Sequence, residues 1–496
     1  MTPPPERIVI LGGGTAGWMA ANLIAHRWGG ERVTLIESAD IGIIGVGEGS
    51  TPQLKTLFDT LGIAEAEWMP RCNATYKNGI RFHGWSDRPG YEGYFHPFPS
   101  APDAELMPIF SYNTRARRTG RDVWAHPDRY FLPALLANER RGPIAHSAEA
   151  PRVTYGYHFD AHLVGALLRD HAKALGVTHL DRKIVQVSLA ENGDVGHLIA
   201  EGGETIAGEL FIDSSGFRSV IVQEALGEPF ISFAPNLFNN RAVVMPTPAD
   251  PLGTNAQTSS TALSAGWAWD IPLINRTGNG YVYASDFIGD DAAETELRAR
   301  LGLLDSPVEA RRLRMKVGRV RNAWVRNTLA VGLSQGFIEP LEATALHVVQ
   351  TTIEQFLDAW DDQARPAFNT EIAARFEGIR DYIVCHYRMN QRSDTGYWRA
   401  NAANQNLSDS LRAIMTCWFT GGDLSAEIAE QNIARFYAPL SWHCLLAGYG
   451  TFPDDTKMMP PGPDIEMFDL DRIDDFIRRT AQSYPDHKAL LTGLAS

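Results

Sequence analysis

The chain has 496 residues, 44% of them hydrophobic and 21% charged, with a formal net charge of −14; it is long enough for more than one lobe and composed like a globular protein. An acidic chain with no long basic run is not built to bind nucleic acid or an anionic membrane surface. No apolar stretch approaches the ~20 residues that cross a bilayer, and the first strand opens at Arg7, so a cytoplasmic location is expected.

That first strand leads into the most informative stretch, RIVILGGGTAGWMAANLIAHRWGGERVTLIE, residues 7–37. Gly12, Gly14 and Gly17 follow an apolar strand in G-x-G-x-x-G spacing, an alanine-rich helix comes next, and a second strand ends at Glu37. In this context the glycines predict a dinucleotide site. Gly12 allows the tight turn, Gly14 lets backbone approach a pyrophosphate, and Gly17 lets helix and strand pack closely, while Glu37 is placed for a ribose. The loop IGIIGVGEGSTP follows, with Gly42, Gly45, Gly47 and Gly49 able to hug a flat cofactor, and a helix is predicted from about Thr51 and Pro52.

Residues 73–85, NATYKNGIRFHGW, alternate as a strand pair turning at Asn78 and Gly79, with Lys77 beside the turn. Residues 87–151 read as an irregular, aromatic- and proline-rich lobe. A helix near residue 160 and a strand at KIVQVSLA precede ELFIDSSGFRS, an apolar strand that returns at Asp213 and Gly216 to the bound dinucleotide. Strands are predicted over 241–287, with a turn at NRTGNG, and another over 319–332. Leu346, Val349, Ile353, Phe356, Leu357 and Trp360 recur at three- and four-residue steps and predict one helix over 345–360. Beyond residue 365 the pattern is mostly helical. The fold expected is α/β: a Rossmann-like, glutathione-reductase-like FAD-binding domain with mixed sheets over 1–360, carrying insertions near 87–151 and 225–315, and a helical substrate lobe over 361–496.

One dinucleotide fingerprint rather than two favours FAD that is reduced elsewhere and used here with dioxygen; an NAD-only dehydrogenase would explain neither the loop at 42–49 nor the turn at Asp213. Cys72, Cys385, Cys417 and Cys444 lack C-x-x-C spacing, so buried thiols are expected and no metal site.

Trp267, Trp269, Ile271 and Pro272 spell W-x-W-x-I-P. Together with GGGTAGW, VGEGSTP, NATYKNGIRF, YHFDAHLV, LFIDSSGFRS and GFIEPLEAT in order along the chain, the motif resembles the flavin-dependent tryptophan halogenase family. The resemblance implies electrophilic chemistry: FADH2 and dioxygen give a flavin hydroperoxide, halide (bromide or chloride) is oxidised to hypohalous acid, and this passes down a tunnel to an electron-rich aromatic. It places Lys77 and Glu342 as the catalytic pair. Lys77 forms a haloamine or holds the hypohalous acid by a hydrogen bond, and burial makes a neutral amine accessible to such a lysine. Glu342 takes the ring proton or helps polarise the acid. Cofactor contacts fall to Gly12, Gly14, Thr15, Ala16, Gly17, Glu37, Gly47, Asp213, Gly216, Gly332 and Ile338, and the halide to the helix start at Thr344 and Ala345, where backbone N–H groups are free. Here Glu342-Ala343-Thr344-Ala345 departs from the family's E-S-T-G, which bears on halide affinity. Trp267 and Trp269 are expected near the flavin, barring organic substrate from it.

His96 and Phe98 match the family's His-x-Phe beside the substrate ring, and Tyr437 a further stacking aromatic. The Tyr-Tyr pair and glutamate that hold the amino-acid end of tryptophan fall at Ser425, Ala426 and Asn432, so an indole-like substrate is expected, with Arg388 or Arg392 as the alternative anchor for a carboxylate. A separate NAD(P)H-dependent flavin reductase is the expected partner, and a homodimer is left open. Two rivals remain at this stage: an aromatic monooxygenase, which has no need of Lys77, Glu342 and W-x-W-x-I-P together, and a non-catalytic FAD-binding relative.

Overall fold

Ile8–Leu11 is buried at every position, as a strand flanked by strands and covered on both faces must be. It lies inside a six-stranded sheet ordered Trp324–Val325, Thr328–Ala330, Leu210–Asp213, Ile8–Leu11, Val33–Glu37, Thr178–Asp181. The computed structural model describes residues 3–41, 48–462 and 470–494; of the loop expected at 42–49, residues 42–47, with Gly47, lie outside them. By internal packing the chain divides into two units, each assembled from three segments. Met1–Asn73, Phe159–Ala234 and Met315–Glu377 form the first, and Ala74–His158, Pro235–Arg314 and Gly378–Ser496 the second.

In the first unit the sheet is parallel except for the Trp324–Val325 hairpin at its edge. The helix Thr15–Trp28 connects Ile8–Leu11 to Val33–Glu37 and packs against the helices Ala161–Ala174 and Ala345–Asp361. The register aligns Leu11 with both Asp213 and Ile36, and Asp213 with Ala330. The glycine turn, the Asp213 turn, Glu37 and Gly332 therefore all sit at the carboxyl ends of parallel strands, where open α/β sheets bind ligands. The single strand expected over 319–332 is instead three: Gly318–Val320, Trp324–Val325 and Thr328–Ala330. Arg326 adopts φ 53° between the last two, a left-handed residue that closes a two-residue hairpin.

The second unit holds a seven-stranded sheet ordered Arg311–Arg314, Arg241–Pro248, Arg276–Tyr283, Gly266–Pro272, Thr258–Leu263, Gly79–His83, Gly93–Pro97. The helix Asp290–Leu301 lays Ala293 and Leu297 on Val243, Tyr281 and Tyr283 of one face. NRTGNG is not the turn expected: all but its first residue belong to the strand Arg276–Tyr283, and the chain reverses just before it, where Leu273 N–H bonds Arg276 O at 2.8 Å. Nor do Thr75–Lys77 and Gly79–His83 form a hairpin. Thr75–Lys77 pairs with Gly156–Phe159, while Gly79–His83 pairs with Gly93–Pro97 and Thr258–Leu263. Asn78 is the corner between two sheets, fixed by its N–H on Ala256 O at 2.6 Å.

The stretch 87–151 is more regular than its composition suggests, with a strand at Gly93–Pro97 and helices at Asp103–Arg118 and Leu132–Asn138. After residue 365 the described chain is largely helical, beginning with Arg365–Met389. Among the described residues no helix is long and apolar enough to cross a membrane, and no group of three His, Cys, Asp or Glu side chains could hold a metal ion. All four cysteines are free thiols, and burial pushes Cys72 up to about 12.

Asp213 is fully buried, and its carboxylate is consumed by its own chain. It accepts from the N–H groups of Ser215, Ile221 and Val222 at 3.1, 2.9 and 2.8 Å and from the Ser215 hydroxyl at 2.6 Å. Removing it leaves buried donors unpaired at roughly 1–3 kcal/mol each. Asp213→Ala is expected to lower the urea midpoint of the flavin-free protein clearly and Asp213→Asn less; an alanine variant with the parent's midpoint would contradict this.

Candidate functional site

The glycine turn has the geometry its spacing predicts. Gly12 sits at φ 117°, and a Cβ there would lie 2.2 Å from Ser214 O, while one on Gly17 would lie 1.9 Å from Gly12 O. Both positions are closed to any larger residue. Gly14 differs: among the described residues nothing stands within 4 Å of where its Cβ would be. It is the N-cap of Thr15–Trp28, with no side-chain cap and no acidic residue in the first turn. An uncapped helix start facing open space is a seat for an anionic group. Glu37 ends the neighbouring strand with its carboxylate over Gly13 and Oε1 2.9 Å from His179 Nε2. Gly332, at φ 63°, packs onto Ala16, and Ser334 Oγ donates to Gly216 O at 3.1 Å. Gly12, Gly14, Thr15, Ala16, Gly17, Glu37, Gly216 and Gly332 thus converge on one edge of the first unit, and an open helix start with a carboxylate beside it fits the pyrophosphate and ribose of FAD. Asp213 shapes this edge, its oxygens being occupied by backbone.

Ile338 and Glu342 are buried in the same unit. Residues 338–344 form a tight run in which Leu341 N–H bonds Glu339 O at 2.9 Å and Ala343 N–H bonds Pro340 O at 3.0 Å. Ala343 is left-handed at φ 55°, a conformation that costs about 1 kcal/mol without glycine. It turns the chain into Ala345–Asp361, whose N-cap Thr344 contributes no side-chain cap and whose first turn carries no acid. His347 in that turn is held down to about 4 by burial and by Arg375, so it stays uncharged near neutral pH.

In the second unit, Lys77 has no accessible surface. Its Nζ lies 5.5 Å from the centre of the half-buried Phe98 ring. Gly79 and Ile80 pair with Pro97 and His96, so the His96–Phe98 run passes antiparallel to the chain leaving Lys77. Beyond it the His96 ring stands 6.1 Å from Tyr382, which stacks on Tyr437 at 3.7 Å and 11°. The structure therefore brings Lys77, Phe98, His96 and Tyr437 into one aromatic neighbourhood, with one face of Tyr437 covered by Tyr382. Trp267 and Trp269 share a face of Gly266–Pro272, buried and 6.0 Å apart. Trp269 lies on Gly280, where a Cβ would come within 2.2 Å of the indole. Thr75 links the two motifs, its hydroxyl donating 2.7 Å to Pro272 O.

Ser425, Ala426 and Asn432, where the resemblance puts the family's amino-acid clamp, differ in setting. Ser425 Oγ is 3.2 Å from buried His443, and Ala426 and Asn432 are exposed. Arg392 is paired with Asp394 at 2.5 Å and lies over Trp398, which leaves Arg388 as the anchor of the two without an ion pair among the described residues. Two residues that sequence reasoning passed over flank Lys77. His158 sits inside YHFDAHLV and His487 in the last helix, both fully buried. A histidine in an otherwise apolar strand was a signal for the first; nothing local marked the second.

Comparison with known proteins agrees with this geometry. The family model described as tryptophan halogenase matches residues 7–461. The chain is 35% identical over 485 residues to the tryptophan 6-halogenase SttH of Streptomyces toxytricini, covering 90% of each. It is 33% identical over 481 residues to the tryptophan 7-halogenase RebH of Lentzea aerocolonigenes, again 90% of each. The solved structure of BrvH, a flavin-dependent halogenase from Brevundimonas sp. BAL3, superposes with TM-score 0.82 at 29% identity over 100% of both chains. A Rossmann edge fitted to FAD, a buried lysine in an aromatic setting and a family match along almost the whole length lead to one conclusion: this chain belongs to the flavin-dependent tryptophan halogenases, enzymes that use FAD, dioxygen and a halide on an aromatic substrate and draw reduced flavin from a separate reductase.

Proposed function

We propose that this enzyme halogenates an indole-like aromatic lacking a free amino-acid group, with Lys77 and Glu342 as its catalytic residues. When bound, reduced FAD with dioxygen supplies the oxidising equivalent that converts halide to hypohalous acid. Gly14 and Thr15 hold the pyrophosphate at the helix start, and Glu37 the ribose. The N–H groups at Thr344 and Ala345 seat the halide, and the uncharged His347 adds neither attraction nor repulsion. Buried Trp267 and Trp269 keep the aromatic substrate from the cofactor. Lys77 holds the hypohalous acid by a hydrogen bond that draws electron density from halogen to oxygen. The ring carbon attacks the halogen, the halogen–oxygen bond breaks, and Glu342 takes the ring proton. The balance is one aromatic C–H and one hypohalous acid for one C–halogen bond and one water.

The observation that carries this reading is Lys77 itself, a lysine with no accessible surface beside Phe98. A surface role is closed to it, and burial of a cationic side chain is costly enough to be rare outside functional sites. Lys77→Ala is expected to lower product formation at least ~100-fold while leaving flavin affinity and oxygen consumption unchanged. Glu342→Gln should lower turnover severely with little change in KM. Single-turnover assays with reduced flavin check both, and a Lys77→Ala enzyme retaining most of its product would overturn the assignment.

The substrate reading rests on Ser425, Ala426, Asn432 and Arg392: Ser425 is bonded to His443 and Arg392 to Asp394, and neither Ala426 nor Asn432 carries a charge to pair with a zwitterion. Each missing charge-assisted hydrogen bond is worth roughly 1.5–3 kcal/mol, so indole is expected to have the higher kcat/KM and to react at C3, its most nucleophilic carbon. A higher kcat/KM for tryptophan, with halogen on the benzo ring, would reverse this conclusion and point to Arg388.

Bromide is the expected halide of choice. It is easier to oxidise and less tightly hydrated than chloride, and Ala343 and Ala345 offer no hydroxyl to the seat. Competition at equal halide concentrations checks this, and mainly chlorinated product would contradict it.

A further inference from the structure

The strand that carries Lys77 is three residues long, Thr75–Lys77, too short to hold a catalytic amine by its ladder alone. Both its edges are bound by histidines that the chemistry above does not use. Thr75 and His158 face each other across the ladder. Thr75 Oγ1 lies 2.7 Å from Pro272 O, which can only accept, and 3.0 Å from His158 Nδ1. The single hydroxyl proton goes to the carbonyl, so Nδ1 carries the imidazole hydrogen and donates to Thr75. His158 Nε2 is then an acceptor and receives the Thr258 hydroxyl at 2.9 Å. One ring thus fastens Thr75 to Gly156–Phe159 and to the start of Thr258–Leu263, and through Thr75 to the W-x-W-x-I-P strand.

The opposite edge is held from the far end of the chain. Tyr76 N–H, the middle amide of the strand, donates to His487 Nε2 at 3.2 Å. His487 Nδ1 is 3.1 Å from Thr254 O, and its backbone N–H donates to Arg140 O at 2.8 Å. A carbonyl can only accept, so Nδ1 carries the hydrogen here too, and His487 supplies the acceptor that a neighbouring strand would have given. Next to Lys77, Asn78 is pinned through Nδ2 to Arg141 O at 3.0 Å.

We propose that His158 and His487 are positioning residues for Lys77, a two-sided clamp on its strand that presents Nζ at one fixed point to the hypohalous acid. The proposal rests on the role given to Lys77 above. Neither imidazole has a nitrogen left for substrate, so neither is a catalytic residue. Burial keeps both uncharged near neutral pH: His158 is pushed well below the usual imidazole range, further by Lys77 and His487, and His487 is held at about 4. A charge on either would oppose the lysine. A misplacement of about 1 Å at a reacting group costs on the order of 100-fold, so loosening the clamp would act on the fate of hypohalous acid rather than on its formation.

The test is the partition of oxidised halide between aromatic product and a freely diffusing scavenger such as monochlorodimedone, at saturating indole and fixed reduced-flavin supply. In His158→Leu and His487→Leu the product share is expected to fall on the order of tenfold and the scavenged share to rise correspondingly, with indole KM and FAD affinity within about twofold. His158→Asn, which keeps a donor to Thr75, and His487→Gln, which keeps an acceptor for Tyr76, should recover part of it. Thr258→Val and Thr75→Val remove one hydroxyl each and keep the proposal testable if the leucine variants do not fold; both should shift the partition the same way. Folded variants that partition like the parent, or that lose only thermal stability, would overturn the clamp. Lys77→Ala run alongside separates the two claims: if it loses product while the threonine variants do not, the clamp fails alone, and if it keeps product, the role of Lys77 fails and the clamp with it.

Discussion

A lysine with no accessible surface is the constraint around which the second unit is organised. Taking an ammonium out of water costs several kcal/mol even after the protein relaxes, and no fold carries that cost by accident. What surrounds Lys77 reads as a response to it. Phe98 offers the face of a ring, His158 and His487 are buried as uncharged imidazoles, and Thr75, Asn78 and Tyr76 spend their hydrogen bonds on fixing backbone. The result is an amine buried in an aromatic setting, where a single hydrogen bond acts more strongly than it does in water.

The first unit solves a different problem with backbone alone. Its parallel sheet brings the Gly12 turn, the Asp213 turn, Glu37 and Gly332 to one edge by register, and its helix Thr15–Trp28 begins at Gly14 without a side-chain cap and with no described residue within 4 Å of where a Cβ would be. Asp213 shows how such an edge is made. Its carboxylate holds the amides of Ser215, Ile221 and Val222, and so sets the course of the chain at that edge.

What could be read from sequence was what is local or carried by a motif. The glycine turn, Glu37, the helix Ala345–Asp361 and the W-x-W-x-I-P strand follow from short-range pattern, whereas the roles proposed for Lys77 and Glu342 rest on resemblance. The misses have identifiable causes. Asn78-Gly79 carries the signature of a hairpin, yet the two strands it joins find better partners in separate sheets. The helix Asp103–Arg118 was hidden because its buried face is polar: Asn113 bonds the Tyr130 hydroxyl, and Arg118 bonds the carbonyls of Cys417 and Trp418. An apolar period cannot report such a face. His487 lies 411 residues from the amide it binds, and no pattern along the chain encodes that pairing.

The central claim is that the oxidising equivalent of dioxygen activated by reduced flavin ends in a carbon–halogen bond, while its oxygen leaves as water. Mass spectrometry of indole incubated with the enzyme, a flavin reductase, NADH and bromide tests it directly, because bromine's two isotopes mark the product unmistakably. The account predicts an equal-intensity isotope doublet at the mass of bromoindole, absent without reductase. A product heavier than indole by one oxygen and free of bromine would contradict it.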